Sequence, residues 1–321
     1  MAPWPAGRSV TFARTGPATR RAAYAVPVTG TQTPARLRMP AESYFVLGAI
    51  SQYIGAAWAV KTFDELDAPA VAWLRVVFAA AIAITITQTW RRGWTRAELV
   101  RAIPFGVVLG FMNLFFYIAI DRLPLGTAVA IEFIGPISVA AWGSRTRHAI
   151  LSLLLAFAGV VLLSEISFRG DPVGLLFIFL AAACWAGYIV MGHRFAGGAR
   201  GLGGLGIAMG IGAIAMTPVA APFSAPAWFD WRLLGIIALV GLLSNVIPYG
   251  LDQAVMRRLD PARFALLLAL LPVTATVIGA IALSQTPTAI ELVGIGLVVA
   301  GIAGRDRTGE RPAPVELETY S

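Results

Sequence analysis

The segment RLPLGTAVAIEFIGPISV, residues 122–139, finds a counterpart in RLDPARFALLLALLPVTA, residues 258–275. The two align without gaps, with Arg122 opposite Arg258 and Pro136 opposite Pro272. An Asn-x-x-x-Tyr lies shortly before each: NLFFY, Asn113 to Tyr117, and NVIPY, Asn245 to Tyr249. A Gly-led apolar run follows each, GVVLLS from Gly159 and GLVVAG from Gly296. The chain therefore reads as two related halves. The first copy alone carries a carboxylate, Glu132, opposite Leu268 in the second.

The solvent for these halves follows from composition. Of 321 residues, 58% are hydrophobic and 13% charged, and the mean hydropathy is +0.75. Soluble domains average about 25% charged residues, so this is the composition of an integral membrane protein. A pI near 10.3 would suggest nucleic acid in a soluble chain. Here the positive charge sits between apolar segments, where membrane orientation explains it and no nucleic acid is needed. The single cysteine, Cys184, excludes an intramolecular disulfide and a cysteine-based metal site. His148 and His193 are expected in loops, far apart in sequence.

Ten apolar segments of about 17–25 residues, the length that crosses a bilayer as a helix, are expected. Their spans are 44–63, 69–89, 101–120, 125–143, 147–165, 173–193, 202–221, 232–254, 262–284 and 287–304. Alternate connections differ sharply in charge. One set, with the two termini, carries 20 arginines; the other carries only Lys61, Arg122, Arg169 and Arg232. Basic loops stay in the cytoplasm, so both termini are expected there and the number of crossings is even. Trp90 and Trp94 on one side, and Trp228 and Trp231 on the other, suit the two interfaces. Residues 1–41 read as a disordered basic tail without a signal-peptide core, and Met39 is a plausible alternative start. The halves are then 42–168 and 169–304, with a cytoplasmic tail over 305–321. Five spans per half is an odd number, so the second half must be inverted relative to the first. The expected fold class is an all-α membrane protein of ten transmembrane helices in two inverted five-helix repeats. That architecture places a substrate site near the midplane, between the halves.

Glu132 is the first candidate for such a site. A charged group near the bilayer centre costs about 2.5–3.5 kcal/mol, and intramembrane carboxylates mark transport pathways. It can carry a proton, receive a substrate ammonium, or merely hydrogen-bond a neighbouring helix. Arg75, in WLRVVFAAAIA, can pair with Glu132, hold a substrate carboxylate, or snorkel to the headgroups. Asn113 and Tyr117, like Asn245 and Tyr249, are spaced to share a helix face. They read either as two polar stripes on one cavity or as helix–helix hydrogen bonds. Asp252 follows Tyr249 by one turn as a candidate gate, and Ser51 and Gln52 are further lining candidates. Gly135, Pro136 and Pro272 are expected to break or kink their helices. Gly106/Gly110 and Gly206/Gly210 are GxxxG pairs suited to close helix packing. GLGGLG, residues 201–206, follows no strand and is not a dinucleotide fingerprint. No P-loop and no nucleophile–base set is present, so neither an enzyme nor an ATP-driven pump is expected.

Three stretches carry a family resemblance: GFMNLFFYIAIDRLPLGTAVAIEFIGPISVA (110–140), AACWAGYIVMGHR (182–194) and IPYGLDQAVMRRLDPARF (247–264). They resemble the EamA-type branch of the drug/metabolite transporter superfamily, and within it the bacterial inner-membrane threonine/homoserine exporters. Glu132, Gly135 and Pro136 match that family's intramembrane Glu–Gly–Pro segment, and Asn113 and Tyr117 its third helix. Asp252 stands where the family commonly has glutamate. Leu271 and Gln285 stand where its members often have acidic residues. The resemblance implies a secondary transporter in the bacterial cytoplasmic membrane, exporting small amino acids or related metabolites in exchange for protons. It implies no cofactor or metal, and it leaves a homodimer open. A drug or sugar-type metabolite carrier of the same fold, and a non-transporting membrane scaffold, remain the alternatives.

Overall fold

The computed structural model describes residues 40–91, 93–143, 147–196, 201–256, 267–268 and 270–303. The expectations for residues 1–39 and the C-terminal tail lie outside them, as do those for 262–266 at the start of the ninth span. Every regular element among the described residues is helical.

The first half contains α1 (Ala41–Val60), α2 (Ala68–Thr87), α3 (Arg96–Ile120), α4 (Leu125–Glu132), α5 (Ile134–Gly143) and α6 (Arg147–Gly170). In the second half are α7 (Pro172–Ala196), α8 (Leu202–Ala220), α9 (Trp231–Gly241), α10 (Ile247–Met256), α11 (Leu270–Leu283) and α12 (Ala289–Ala303). A π-helical turn, Leu242–Val246, joins α9 to α10. Among the described residues, six helical stretches are long and apolar enough to cross a membrane: Ala41–Val60, Ala68–Thr87, Arg96–Ile120, Pro172–Met191, Leu202–Phe229 and Trp231–Asp252. Leu125–Val139, Ile150–Leu163, Leu270–Leu283 and Ala289–Ala303 are shorter apolar stretches. His148 and His193 fall within α6 and α7, not in loops, because both helices run further than their apolar cores.

Local chemistry sets the helix ends. Thr95 and Glu98 form a capping box, with the Glu98 N–H donating to Thr95 Oγ1 at 3.2 Å and the Thr95 N–H to Glu98 Oε2 at 2.9 Å. It starts α3 five residues before the apolar run that marks the span in sequence. Asp230 caps α9 by accepting from the N–H groups of Arg232 (2.8 Å) and Leu233 (3.2 Å). Thr288 and Glu291 repeat the capping box at α12. The preceding loop lends Gln285 Oε1 to the Leu125 N–H at 3.0 Å, capping α4 from across the fold.

The main packing pairs are α3 with α7 and α8, α2 with α8 and α9, and α1 with α9, α10 and α11. Helix α4 packs on α7 and α11, α5 on α7, and α6 on α12. Small residues allow the close approaches. A Cβ added to Gly110 would lie 2.8 Å from Gly212 Cα, and one on Gly106 would lie 2.5 Å from the Ala208 carbonyl oxygen. The second GxxxG pair serves by half: an added Cβ on Gly206 would lie 3.1 Å from Ala83 Cβ on α2, closer than ordinary contact. Gly206 faces Ala83 and Ile84, and Gly210 meets nothing within 4 Å; Ala208 and Gly212 face α3 instead. Outward-facing Leu151, Leu154, Phe157 and Val161 leave one side of α6 apolar and exposed, as lipid contact requires.

Candidate functional site

Pro136 stands in the first turn of α5, where its missing N–H costs least. It leaves the carbonyl of Glu132, four residues earlier, without an in-helix donor. The helix bends there: Phe133 separates α4 from α5, while its N–H still reaches the Val129 carbonyl at 3.3 Å. The segment is therefore kinked rather than broken. Gly135, expected to help break the helix, also allows a close approach to α7. An added Cβ would lie 2.2 Å from the Ala182 carbonyl oxygen, so α5 presses directly on the α7 backbone. Phe133 and Trp185 meet edge to face at 4.9 Å and seal the same contact. Pro272 is buried in the opening turn of α11, and its carbonyl accepts from Thr276 Oγ1 at 2.8 Å.

Glu132 is 8% exposed, and its carboxylate makes no hydrogen bond or ion pair within 4.0 Å among the described residues. Tyr53 of α1, Cys184 of α7, Tyr249 of α10 and Arg75 of α2 lie within its electrostatic reach. Tyr53 and Tyr249 also feel Asp252, which is half-buried. Glu132 and Asp252 thus both act on the two tyrosines, Tyr53 of α1 and Tyr249 of α10.

Arg75 is 4% exposed, which excludes snorkelling, and the direct ion pair with Glu132 does not form. Its Nη1 donates to Ser244 Oγ at 2.6 Å, and Nη2 donates to Asn113 Oδ1. Asn245, with its amide nitrogen toward the Ser244 carbonyl, accepts from Nη1 at 3.2 Å. The Tyr117 ring lies under the guanidinium, 4.0 Å from its carbon to the ring centroid. Asn113 and Ser244 are themselves oriented, donating to the Leu109 (2.7 Å) and Val240 (2.6 Å) carbonyls. The Asn and Tyr of the first half and the Asn of the second thus converge on Arg75. Tyr249 stands apart, half-buried beside Tyr188.

The π-helical turn makes this convergence. It brings Ser244 and Asn245 to α2, and two glycines clear the path. An added Cβ on Gly241 would lie 2.6 Å from the Arg75 carbonyl oxygen, and one on Gly55 would lie 2.9 Å from Ser244 Cβ. Ser51 pins the turn by donating to the Leu243 carbonyl at 2.8 Å. Sequence reasoning passed over Ser244, Tyr53 and Glu291. Glu291 was readable from the Thr-x-x-Glu spacing; it is 8% exposed and also accepts from Thr127 Oγ1 of α4 at 3.2 Å. Ser244 and Tyr53 show no signal apart from the fold.

The sequence profile of the EamA-like transporter family matches residues 172–304. The chain is 32% identical over 266 residues to the threonine/homoserine exporter RhtA of Escherichia coli K12, covering 82% of this chain and 90% of that protein. RhtA of Salmonella typhimurium LT2 is 32% identical over 265 residues, with the same coverage. An uncharacterized transporter of Bacillus subtilis, YyaM, is 25% identical over 282 residues, 81% of this chain and 92% of that one. One solved crystal structure superposes with a TM-score of 0.53 at 20% identity, over 82% of this chain and 97% of the other, and shares the fold alone. The apolar helices and these relatives make the chain a multi-pass protein of the cytoplasmic membrane. It belongs to the EamA-like transporter family.

Proposed function

We propose that the protein is a secondary active exporter of small amino acids of the threonine/homoserine type, or of related metabolites, driven by proton antiport. The observation that carries this reading is Glu132, a buried carboxylate without a hydrogen-bond partner among the described residues, beside a helix kink. A carboxylate held so can take up a proton or a substrate ammonium and release it when its surroundings change. Similarity to RhtA supports the amino-acid class.

Alternating access needs two halves that move against each other. The packing supports ten spans in two repeats, and the arginine asymmetry supports their inversion with both termini cytoplasmic. Number the spans in chain order, with α4–α5 as the fourth and α9–α10 as the eighth. Exchanging each span with the one five places on maps the main pairs onto one another. Spans 2 and 7, 4 and 9, and 5 and 10 pair with themselves. The 3–6 pair becomes 8–1, 3–7 becomes 8–2, and 1–9 becomes 6–4, and all of these are present. On this reading Arg75, Asn113 and Tyr117 of the first half meet Asn245 of the second at the inter-repeat seam. Glu132, Tyr249 and Asp252 then face the substrate path.

The test is accumulation of labelled amino acids in cells lacking and overexpressing the protein, across a panel that includes threonine, homoserine, sugars and lipophilic cations. Lowered internal threonine or homoserine on overexpression supports the reading. Export confined to sugars or cations would replace it with the alternative carrier reading.

A further inference from the structure

A guanidinium has five N–H donors. In Arg75 the two Nη groups are committed to Ser244, Asn245 and Asn113, and the ring of Tyr117 covers one face. All of these partners are neutral, and no carboxylate of a described residue lies within 4.0 Å of the guanidinium. Those contacts use three of the five donors; of the other two, Nε is buried and has no hydrogen-bond partner among the described residues. A buried N–H left unpaired is destabilising, and more so on a cation. A negatively charged acceptor at Nε would both pair this donor and balance the cation, which none of its present partners does.

We propose that Arg75 receives the substrate's carboxylate through Nε, and that Ser244 is the positioning residue that holds the guanidinium for it. This rests on the transport reading above and supplies its second charge contact: ammonium toward Glu132, carboxylate toward Arg75. Ser244 never touches the substrate. Its hydroxyl takes Nη1 at 2.6 Å and is itself anchored on the Val240 carbonyl. The π-helical turn carrying it is pinned by Ser51 and let in by Gly55 and Gly241. With Nη1 and Nη2 held from α9–α10 and α3, the plane of the guanidinium is fixed and Nε is left without a partner among the described residues. The site would accept molecules with one carboxylate beside an amine and discriminate against the matching amino alcohols.

The experiment uses the full chain reconstituted in liposomes, with counterflow of labelled homoserine. The competitors are unlabelled homoserine and 3-aminopropan-1-ol, the same molecule without its carboxylate. In the wild type, homoserine should compete at least about tenfold better, the worth of one charge-assisted hydrogen bond. Ser244→Ala should raise the homoserine KM about tenfold with the maximal rate within about twofold, and leave competition by 3-aminopropan-1-ol unchanged. Arg75→Lys keeps the charge and should erase the preference between the two compounds. Equal competition in the wild type overturns the proposal without any variant. Equal weakening of both compounds by Ser244→Ala also overturns it, because that is the signature of a merely structural serine. If the wild type moves no amino acid at all, the transport reading falls and takes this proposal with it.

Discussion

Replacing Gly135 by alanine would place a methyl carbon 2.2 Å from the Ala182 carbonyl oxygen and 3.0 Å from its carbonyl carbon. Ordinary contact begins at 3.4 Å, so α5 and α7 must separate by about 1.2 Å at this point. Both walls are helix backbone, and no side chain can swing aside to relieve the clash. Overpacking of this kind costs about 1–3 kcal/mol, and a rigid backbone contact belongs at the upper end. Alanine's better helix propensity returns about 1 kcal/mol, leaving a net loss of about 2 kcal/mol. Gly210→Ala is the internal control, since nothing lies within 4 Å of its added Cβ. It shares the propensity gain without the clash, so the two variants should differ by about 3 kcal/mol. Reversible unfolding in mixed detergent and SDS, followed by tryptophan fluorescence, measures both. Stabilities within about 0.5 kcal/mol of each other would refute the backbone contact and, with it, the account of why glycine follows Glu132 by one turn.

Other consequences can be checked separately. Glu291→Ala removes the α12 capping box and the acceptor for Thr127, and should destabilise by about 2–3 kcal/mol; Glu291→Gln, which keeps an acceptor oxygen, should lose about 1 kcal/mol or less in the same unfolding assay. At the start of α7, the Gly174 N–H and then Arg122 hold the Asp171 carboxyl below its ordinary value. Its contribution to stability is therefore present above about pH 4 and lost as pH falls below that. Unfolding followed downward from about pH 6 should show a shallower acid limb in Asp171→Asn than in wild type. Reporter fusions after residues 91, 143 and 256 should report the cytoplasm, and fusions after 65 and 229 the opposite side. The reverse pattern would contradict the orientation read from the arginines.

The all-helical membrane character and the interruption at Phe133 were readable because they depend on local properties. Apolar runs, loop arginines and a proline four residues after Glu132 act within one segment. Fine boundaries were missed where a capping box extends a helix beyond its apolar core, as Thr95 and Glu98 do for α3. The surroundings of Arg75 were not readable, because a π-helical turn changes which residues of the eighth span face α2. An Asn–Tyr spacing of four places Asn245 and Tyr249 on one stripe only in regular helix. In the structure Asn245 goes to Arg75 and Tyr249 to Tyr188. Nor could sequence say which small residues meet. Helices apolar all round do not reveal which face meets which neighbour, so Gly210, which meets nothing within 4 Å, looked as suitable as Gly212, which meets α3.

The central claim is that Glu132 couples substrate to proton movement. The most direct test is homoserine-driven proton flux in liposomes holding the full chain, followed with an internal pH dye, for wild type and Glu132→Gln. Wild-type liposomes should acidify or alkalinise with the direction of the homoserine gradient. Glu132→Gln should purify as a monodisperse helical protein and show no substrate-linked pH change. Proton flux at the wild-type rate in that variant would contradict the account.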